Sequence, residues 1–246
     1  MSFTTWTPTE VASNAFPCNT IIWRAVEAQH SVATMNLVDN LDEQFLLEQL
    51  LEDSKPLVSA TSKNLHWLLF TPFRYPPLPS GSRFRGPSDP GVFYGASAVR
   101  TACAELGYWR WRFLIESPAL KMIDSKPQSV FSAGIDTVAI DLRNKPFDKD
   151  RDAWMAFSNY EFCQTMARVA RAANVGAIHY QSVRDPKREC CTAVLTPDAF
   201  ESVQPLELQS WSLSIHRERV LWRRSDPLFD KEAFEFAAAD WVKNQV

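Results

Sequence analysis

Apolar and polar positions along this chain follow two periods, and each change of period marks a new element. From Leu37 to Leu51 the spacing is helical. Leu41, Phe45, Leu46, Gln49 and Leu50 share one side, and Asp42, Glu43 and Glu48 lie elsewhere. This predicts an amphipathic helix that ends at Lys55-Pro56. Residues 1–20 ahead of it read as an extended arm, and Thr20–Ala28 begins like a strand, although so short a run also fits a helix. His66–Phe70 (HWLLF) and Gly91–Gly95 predict two short apolar strands. Ala96–Tyr108 predicts a helix capped by Ser97, with Val99, Ala102, Cys103 and Leu106 on its apolar face. Trp109–Ile115 (WRWRFLI) alternates aromatic and basic residues, the pattern of a half-buried strand.

The second half is richer in strands. Gln128–Leu142 predicts two strands around Gly134. Ala153–Ala173 predicts the longest helix, with Phe157, Tyr160, Cys163, Met166, Ala167 and Ala170 at helical spacing, closed by Asn174-Val175-Gly176. Ala177–Gln181 predicts a strand, Ser182–Pro186 the turn after it, and Ala193–Leu195 a short apolar run. Leu206–Arg224 predicts alternating strands, and Phe229–Val242 a closing amphipathic helix. Strands and helices mix without a regular βαβ period, so the expected class is α+β rather than a doubly wound sheet.

Composition narrows the function. The net charge of −3 over 246 residues excludes a strongly basic nucleic-acid binder as the default. The five cysteines include no CxxC pair, and the four histidines have no ligand spacing, so no metal site is expected. No secretory leader or membrane span is read from the chain, and a reducing cytoplasm is the expected location. The glycine patterns of dinucleotide-binding and phosphate-binding loops are absent, as is the GxSxG elbow.

The stretch from Phe73 to Phe113 carries the most chemistry. Arg83, Tyr94 and Glu105 are eleven residues apart in turn, on a predicted loop, strand and helix. Arginine offers a planar fork of donors to phosphate oxygens. A tyrosine ring can lie against a flat heterocycle. A glutamate among Ala and Leu is costly unless something uses it. Ser182 and Arg184 follow a predicted buried strand, where a hydroxyl and a guanidinium could both reach a ligand. The competing reading is that Arg74 and Arg83 tie down the loop, Tyr94 fills core and Glu105 pairs with an arginine of WRWR. Chemistry alone leaves both open.

The order of five pieces resembles the RES domain, a family named for an Arg, a Glu and a Ser. They are Arg74-Tyr75, Gly81-Ser82-Arg83-Phe84, Val92-Phe93-Tyr94, Thr101–Glu105 and Tyr180–Arg184, within roughly residues 65–200. The resemblance implies an ADP-ribosyltransferase-like split mixed sheet with surrounding helices. It implies a toxin of a bacterial toxin–antitoxin pair that degrades NAD⁺ at the nicotinamide–ribose bond, by phosphorolysis or hydrolysis. The alternatives it leaves are ADP-ribosylation of a protein, or a non-catalytic nucleotide- or partner-binding module. Arg83, Tyr94, Glu105 and Ser182 would be catalytic. Arg74, Tyr75, Arg83, Tyr94 and Ser182 would bind NAD⁺, which is a substrate rather than a cofactor, with inorganic phosphate as co-substrate. The implied partner is a helix-turn-helix antitoxin, with no direct nucleic-acid or membrane contact by this chain. Residues 1–60 would be an N-terminal helical extension and 61–246 the catalytic domain. That extension could shield the cleft or form a homodimer contact, and its Arg24 competes with Arg74 for the substrate.

Overall fold

A computed structural model describes residues 5–28, 37–77, 79–225 and 232–243. Its axis is one long strand, β3 (Met122–Asp141), in which Val130–Ile135 is buried throughout. A strand hidden on both faces needs neighbours along both edges. β1 (Phe16–Glu27) fills one edge, antiparallel from Phe16↔Ala139 to Glu27↔Gln128. Two strands divide the other edge. β6 (Glu207–His216) runs antiparallel beside Met122–Ser132, and β4 (Ala177–Gln181) runs parallel beside Ala139–Asp141.

The sheet splits at this point. One branch continues from β6 to β7 (Arg219–Arg224) and β8 (Ala233–Ala237). The other runs from β4 through β5 (Cys190–Val194) to β2 (Phe93–Ala96), which meets β1 again at Trp23↔Ala96. The result is an eight-stranded mixed sheet in an α+β chain, with the split that the resemblance implies.

Seven α-helices are described: α1 (Pro8–Ser13), α2 (Leu41–Asp53), α3 (Trp67–Arg74), α4 (Val99–Glu116), α5 (Arg151–Trp154), α6 (Glu161–Ala172) and α7 (Ala238–Lys243). α4 spans the split. Ala102 joins the core built on Ile178, Tyr180 and Ala193 of the β4–β5 branch. Cys103, Tyr108, Trp111 and Leu114 join the core built on Trp211, Leu213 and Trp222 of the β6–β7 branch. Glu105 therefore sits where the two branches diverge. A third core on the opposite face collects Ile22, Phe93, Phe131 and Ile135 with Leu68 and Leu69 of α3.

Several expected elements change. WRWRFLI is not a strand but the second half of α4, because Trp111 and Leu114 continue the buried stripe of Gly107 and Tyr108 at helical spacing. HWLLF is the start of α3, whose first turn is capped by the His66 ring accepting the Leu68 N–H at 3.2 Å. Ser97 does not cap α4: its N–H extends the β2–β5 ladder to the Cys190 carbonyl, and the N-cap is Ala98. Gly134 does not divide β3, and a side chain there would meet the side chain of Glu201, whose backbone N–H donates to the Gly134 carbonyl at 3.0 Å. The single helix expected over 153–173 is two, α5 and α6, so α4 is the longest helix among the described residues. Phe229 lies outside the described residues, and Ala233–Ala237 of the expected closing helix is β8, paired with β7.

Residues 5–20 hold α1 and the beginning of β1, and the segment ahead of residue 61 thus contributes a strand to the sheet itself. α2 forms as expected, capped by Asn40 on the Glu43 N–H at 2.9 Å. Its apolar side faces outward, however, with Leu41, Phe45, Leu46 and Leu50 all exposed. Among the described residues no helix is long and apolar enough to cross a membrane, and no group of three or more His, Cys, Asp or Glu side chains could hold a metal ion.

Candidate active site

The loop carrying Arg83 is closed by its own backbone. Ser82 N–H donates to the Arg85 carbonyl at 2.7 Å, and Arg85 N–H returns to Ser82 at 3.1 Å. Gly81 permits this, with φ at 67° and the Arg85 carbonyl where a Cβ would stand. Phe84 anchors the loop by full burial against the Tyr180 ring, a contribution of about 2 kcal/mol. Tyr94 of β2 holds the loop from the other side. Its hydroxyl accepts the Phe84 N–H at 2.9 Å and pairs with Ser82 Oγ at 2.7 Å. Burial pushes the Tyr94 phenol up to about 12, so it remains a hydroxyl at neutral pH. Arg83 is then turned inward. Its Nη1 donates to the Trp154 carbonyl at 2.8 Å, and its guanidinium lies 4.8 Å from the Tyr160 ring.

Glu105 projects from the middle of α4. Its Oε1 accepts the Ser182 hydroxyl at 2.6 Å, with Cys191 Sγ at 3.7 Å on the same oxygen. Ser182 is fully buried at the end of β4 and also accepts the backbone N–H groups of Arg184 and Asp185. It faces Glu105 as a donor whose orientation is already fixed.

Glu105, Arg83 and Tyr94 line one cleft of about 360 Å³, together with Trp23, Arg24, Trp109, Tyr160, Tyr180 and Arg184. Arg24 enters from β1 and donates to the Tyr94 carbonyl at 3.0 Å. Arg184 lies between the Phe157 and Tyr108 rings and donates to the Phe157 carbonyl and the Tyr160 hydroxyl. Burial pulls Arg24 down to about 10 and lowers Arg184 as well, and both remain cationic at neutral pH. Arg24, Arg83 and Arg184 thus bond to neutral oxygens, and among the described residues none is ion-paired. Nε of Arg24 and Nη1 of Arg184 are buried without a hydrogen-bond partner. Three cations and one carboxylate leave this cleft with an excess of positive charge over aromatic walls. That environment suits a ligand with flat rings and more than one anionic oxygen.

Of the residues expected at the site, Arg83, Tyr94 and Glu105 line the cleft, whereas Ser182 lies behind Glu105, fully buried and outside the lining, and reaches the cleft only through that carboxylate. The structure does not bring Arg74 and Tyr75 to them. Those two line a separate cavity of about 770 Å³ with Arg85 and Arg171. Arg74 is engaged there by Glu52 at 2.8 Å and by the Pro56 carbonyl. Arg24, the competitor named from sequence, occupies the cleft instead. Tyr160 had no signal beyond its place in a helical period, and it lies just ahead of α6 as that helix's N-cap. Arg184 had a signal in its nearness to Ser182, although its aromatic sandwich is a tertiary feature.

The RES domain family model matches residues 56–216. A comparison with curated proteins finds no match. A chain in the crystal structure of the M. tuberculosis MbcT–MbcA toxin–antitoxin complex is similar, at 9% sequence identity over 97% of this chain and 96% of that one, with a TM-score of 0.45. The family match covers more than half of the chain and contains Arg83, Tyr94, Glu105 and Ser182, and on that basis this protein belongs to the RES domain family.

Proposed function

We propose that this protein is an NAD⁺-consuming toxin of a toxin–antitoxin pair, restrained by a helix-turn-helix antitoxin. The observation that carries the proposal is Glu105, held from behind by Ser182, in a cleft lined by three arginines without ion-pair partners among the described residues. In this reading the arginines hold the NAD⁺ pyrophosphate, and the aromatic walls receive the nicotinamide end. The bond from ribose C1 to the nicotinamide nitrogen breaks, and its electron pair stays with the nitrogen. Cationic nicotinamide becomes a neutral leaving group, so no general acid is required. Positive charge develops on the ribose, and the Glu105 carboxylate stabilises it by charge. The Ser182 O–H holds one carboxylate oxygen in place, so Glu105 does not reorganise as that charge appears.

The new bond at C1 forms with an oxygen of inorganic phosphate, giving ADP-ribose phosphorylated at that carbon, or with water, giving ADP-ribose and a proton. We place phosphate first, because an excess of arginine also suits a dianionic acceptor. Transfer to a protein side chain is the remaining acceptor. NAD⁺ labelled in its adenine distinguishes the three when incubated with the protein, with and without phosphate. The label is expected in phosphorylated ADP-ribose when phosphate is present. Label fixed on protein would establish the transferase reading, and unchanged NAD⁺ at high enzyme concentration would leave only a binding module.

A further inference from the structure

Beside the Glu105–Ser182 contact runs a second contact between the same two elements. Thr101 lies one helical turn before Glu105, on the same face of α4. Asp185 lies three residues after Ser182, in the turn that leaves β4. Thr101 Oγ1 donates to Asp185 Oδ2 at 2.7 Å, and Arg100 donates to the other oxygen of that carboxylate. Thr101 and Asp185 are both buried, at 0% and 2% exposure, so this contact excludes solvent. Asp185 is tied back to the serine as well, since its backbone N–H donates to Ser182 Oγ at 3.0 Å.

The C-terminal elements brace the same turn. Trp241 of α7 donates from Nε1 to the Arg184 carbonyl at 2.6 Å. Phe236 of β8 lies under the Arg100 guanidinium, 4.8 Å away. Both residues are outside the stretch matched by the family model.

We propose that Asp185, held by Thr101 and supported by Trp241, is a positioning residue that fixes the Ser182 hydroxyl on the Glu105 carboxylate. A single hydrogen bond between α4 and the turn would act as a pivot. Two bonds one helical turn apart remove that freedom, and the Trp241 bond restrains the Arg184–Asp185 peptide, whose N–H donates to Ser182 Oγ. Asp185, Thr101 and Trp241 act through Ser182. The consequence for turnover rests on the NAD⁺ reading above; the geometric claim does not.

The test pairs turnover with structure. Thr101→Val keeps the side-chain shape and removes the donor. It is expected to lower kcat for NAD⁺ about tenfold and to leave KM within about twofold. Thr101→Ser restores the donor and is expected to restore kcat. Trp241→Phe keeps an aromatic side chain, smaller than the indole, and loses the N–H, with a smaller fall in kcat of about threefold. Crystal structures of Thr101→Val and wild type supply the readout that does not depend on activity. The Ser182–Glu105 bond, 2.6 Å in the wild type, is expected to open in the variant. A loss appearing only in thermal stability, or a Thr101→Ser variant as slow as Thr101→Val, would assign Thr101 a purely structural part and overturn the proposal. Should wild type itself leave NAD⁺ intact, the NAD⁺ reading fails, and the crystal structures still decide: a retained Ser182–Glu105 bond in Thr101→Val rejects the positioning role.

Discussion

Arg74 and Arg83 are nine residues apart in sequence and lie in different cavities. Arg74 has an ion-pair partner: Glu52 takes its guanidinium and shares that carboxylate with Lys55. Among the described residues Arg83 has none. Arg24, Arg83 and Arg184 face a single acid, Glu105, and bond to carbonyl and hydroxyl oxygens and, from Arg83, to the Cys163 sulfur. The contrast separates a structural arginine from one available to a ligand. A guanidinium with its own carboxylate stabilises a loop, whereas buried guanidinia with neutral partners retain charge for an incoming anion.

The largest effect that could break this comparison is at Glu105. Glu105→Gln keeps the shape and an acceptor for Ser182 while removing the charge. It is expected to reduce NAD⁺ turnover on the order of 10³-fold, with the thermal midpoint unchanged. Retained turnover would remove the acid from the mechanism. The next test compares the two arginines. Arg83→Lys keeps a charge and loses the planar fork, with an expected fall in kcat/KM on the order of 10²-fold. Arg74→Met is expected to leave kcat/KM within about twofold and to appear only in stability. The opposite ranking, measured by initial rates at varied NAD⁺, would move the substrate to the Arg74 cavity.

A smaller effect concerns the loop that aims Arg83. Tyr94→Phe leaves the Phe84 N–H and the Ser82 hydroxyl without their partner. The expected destabilisation is about 1–3 kcal/mol, read from the midpoint of urea unfolding. An unchanged midpoint would show that the loop closes without Tyr94. The smallest effect is far from the cleft. His179 bonds Thr192 Oγ1 at 2.8 Å and contacts Cys18 Sγ at 3.2 Å. Burial lowers its pKa below 6.5, against the opposing pull of Asp141 and with that of Arg143. The unfolded chain therefore takes up a proton near pH 6.5 that the folded chain refuses. Stability from this group is present above pH 6.5 and declines as pH falls toward the lowered folded value. Thermal melts at pH 7 and pH 5.5 should show a smaller loss in His179→Gln than in wild type, and equal losses would assign the pH response to other groups.

Much of the site was legible because its chemistry is local. Gly81, Ser82 and Arg83 belong to one local turn, Glu105 lies within one continuous periodic segment, and Ser182 follows the end of another. What was not legible depended on distant packing. WRWRFLI alternates over a few residues, but β6 and β7 offer α4 a long apolar surface, and burying Trp111 and Leu114 on it decides for helix. HWLLF has the same ambiguity, resolved by the cap at His66 and the burial of Leu68 and Leu69. Arg24 belongs to a strand that reaches the cleft only because β2 returns to β1, a closure that strand periodicity does not encode. The family resemblance puts Arg74 with Arg83, but the Pro-rich loop between them carries the chain from one cavity to the other.

The account turns on which cavity receives the nucleotide, and a crystal of Glu105→Gln soaked with NAD⁺ addresses that most directly. The predicted result is density for intact NAD⁺ in the cleft, with its pyrophosphate on the arginines at Arg24, Arg83 and Arg184 and the nicotinamide ribose beside residue 105. Density between Arg74 and Tyr75, with the cleft empty, would contradict the account.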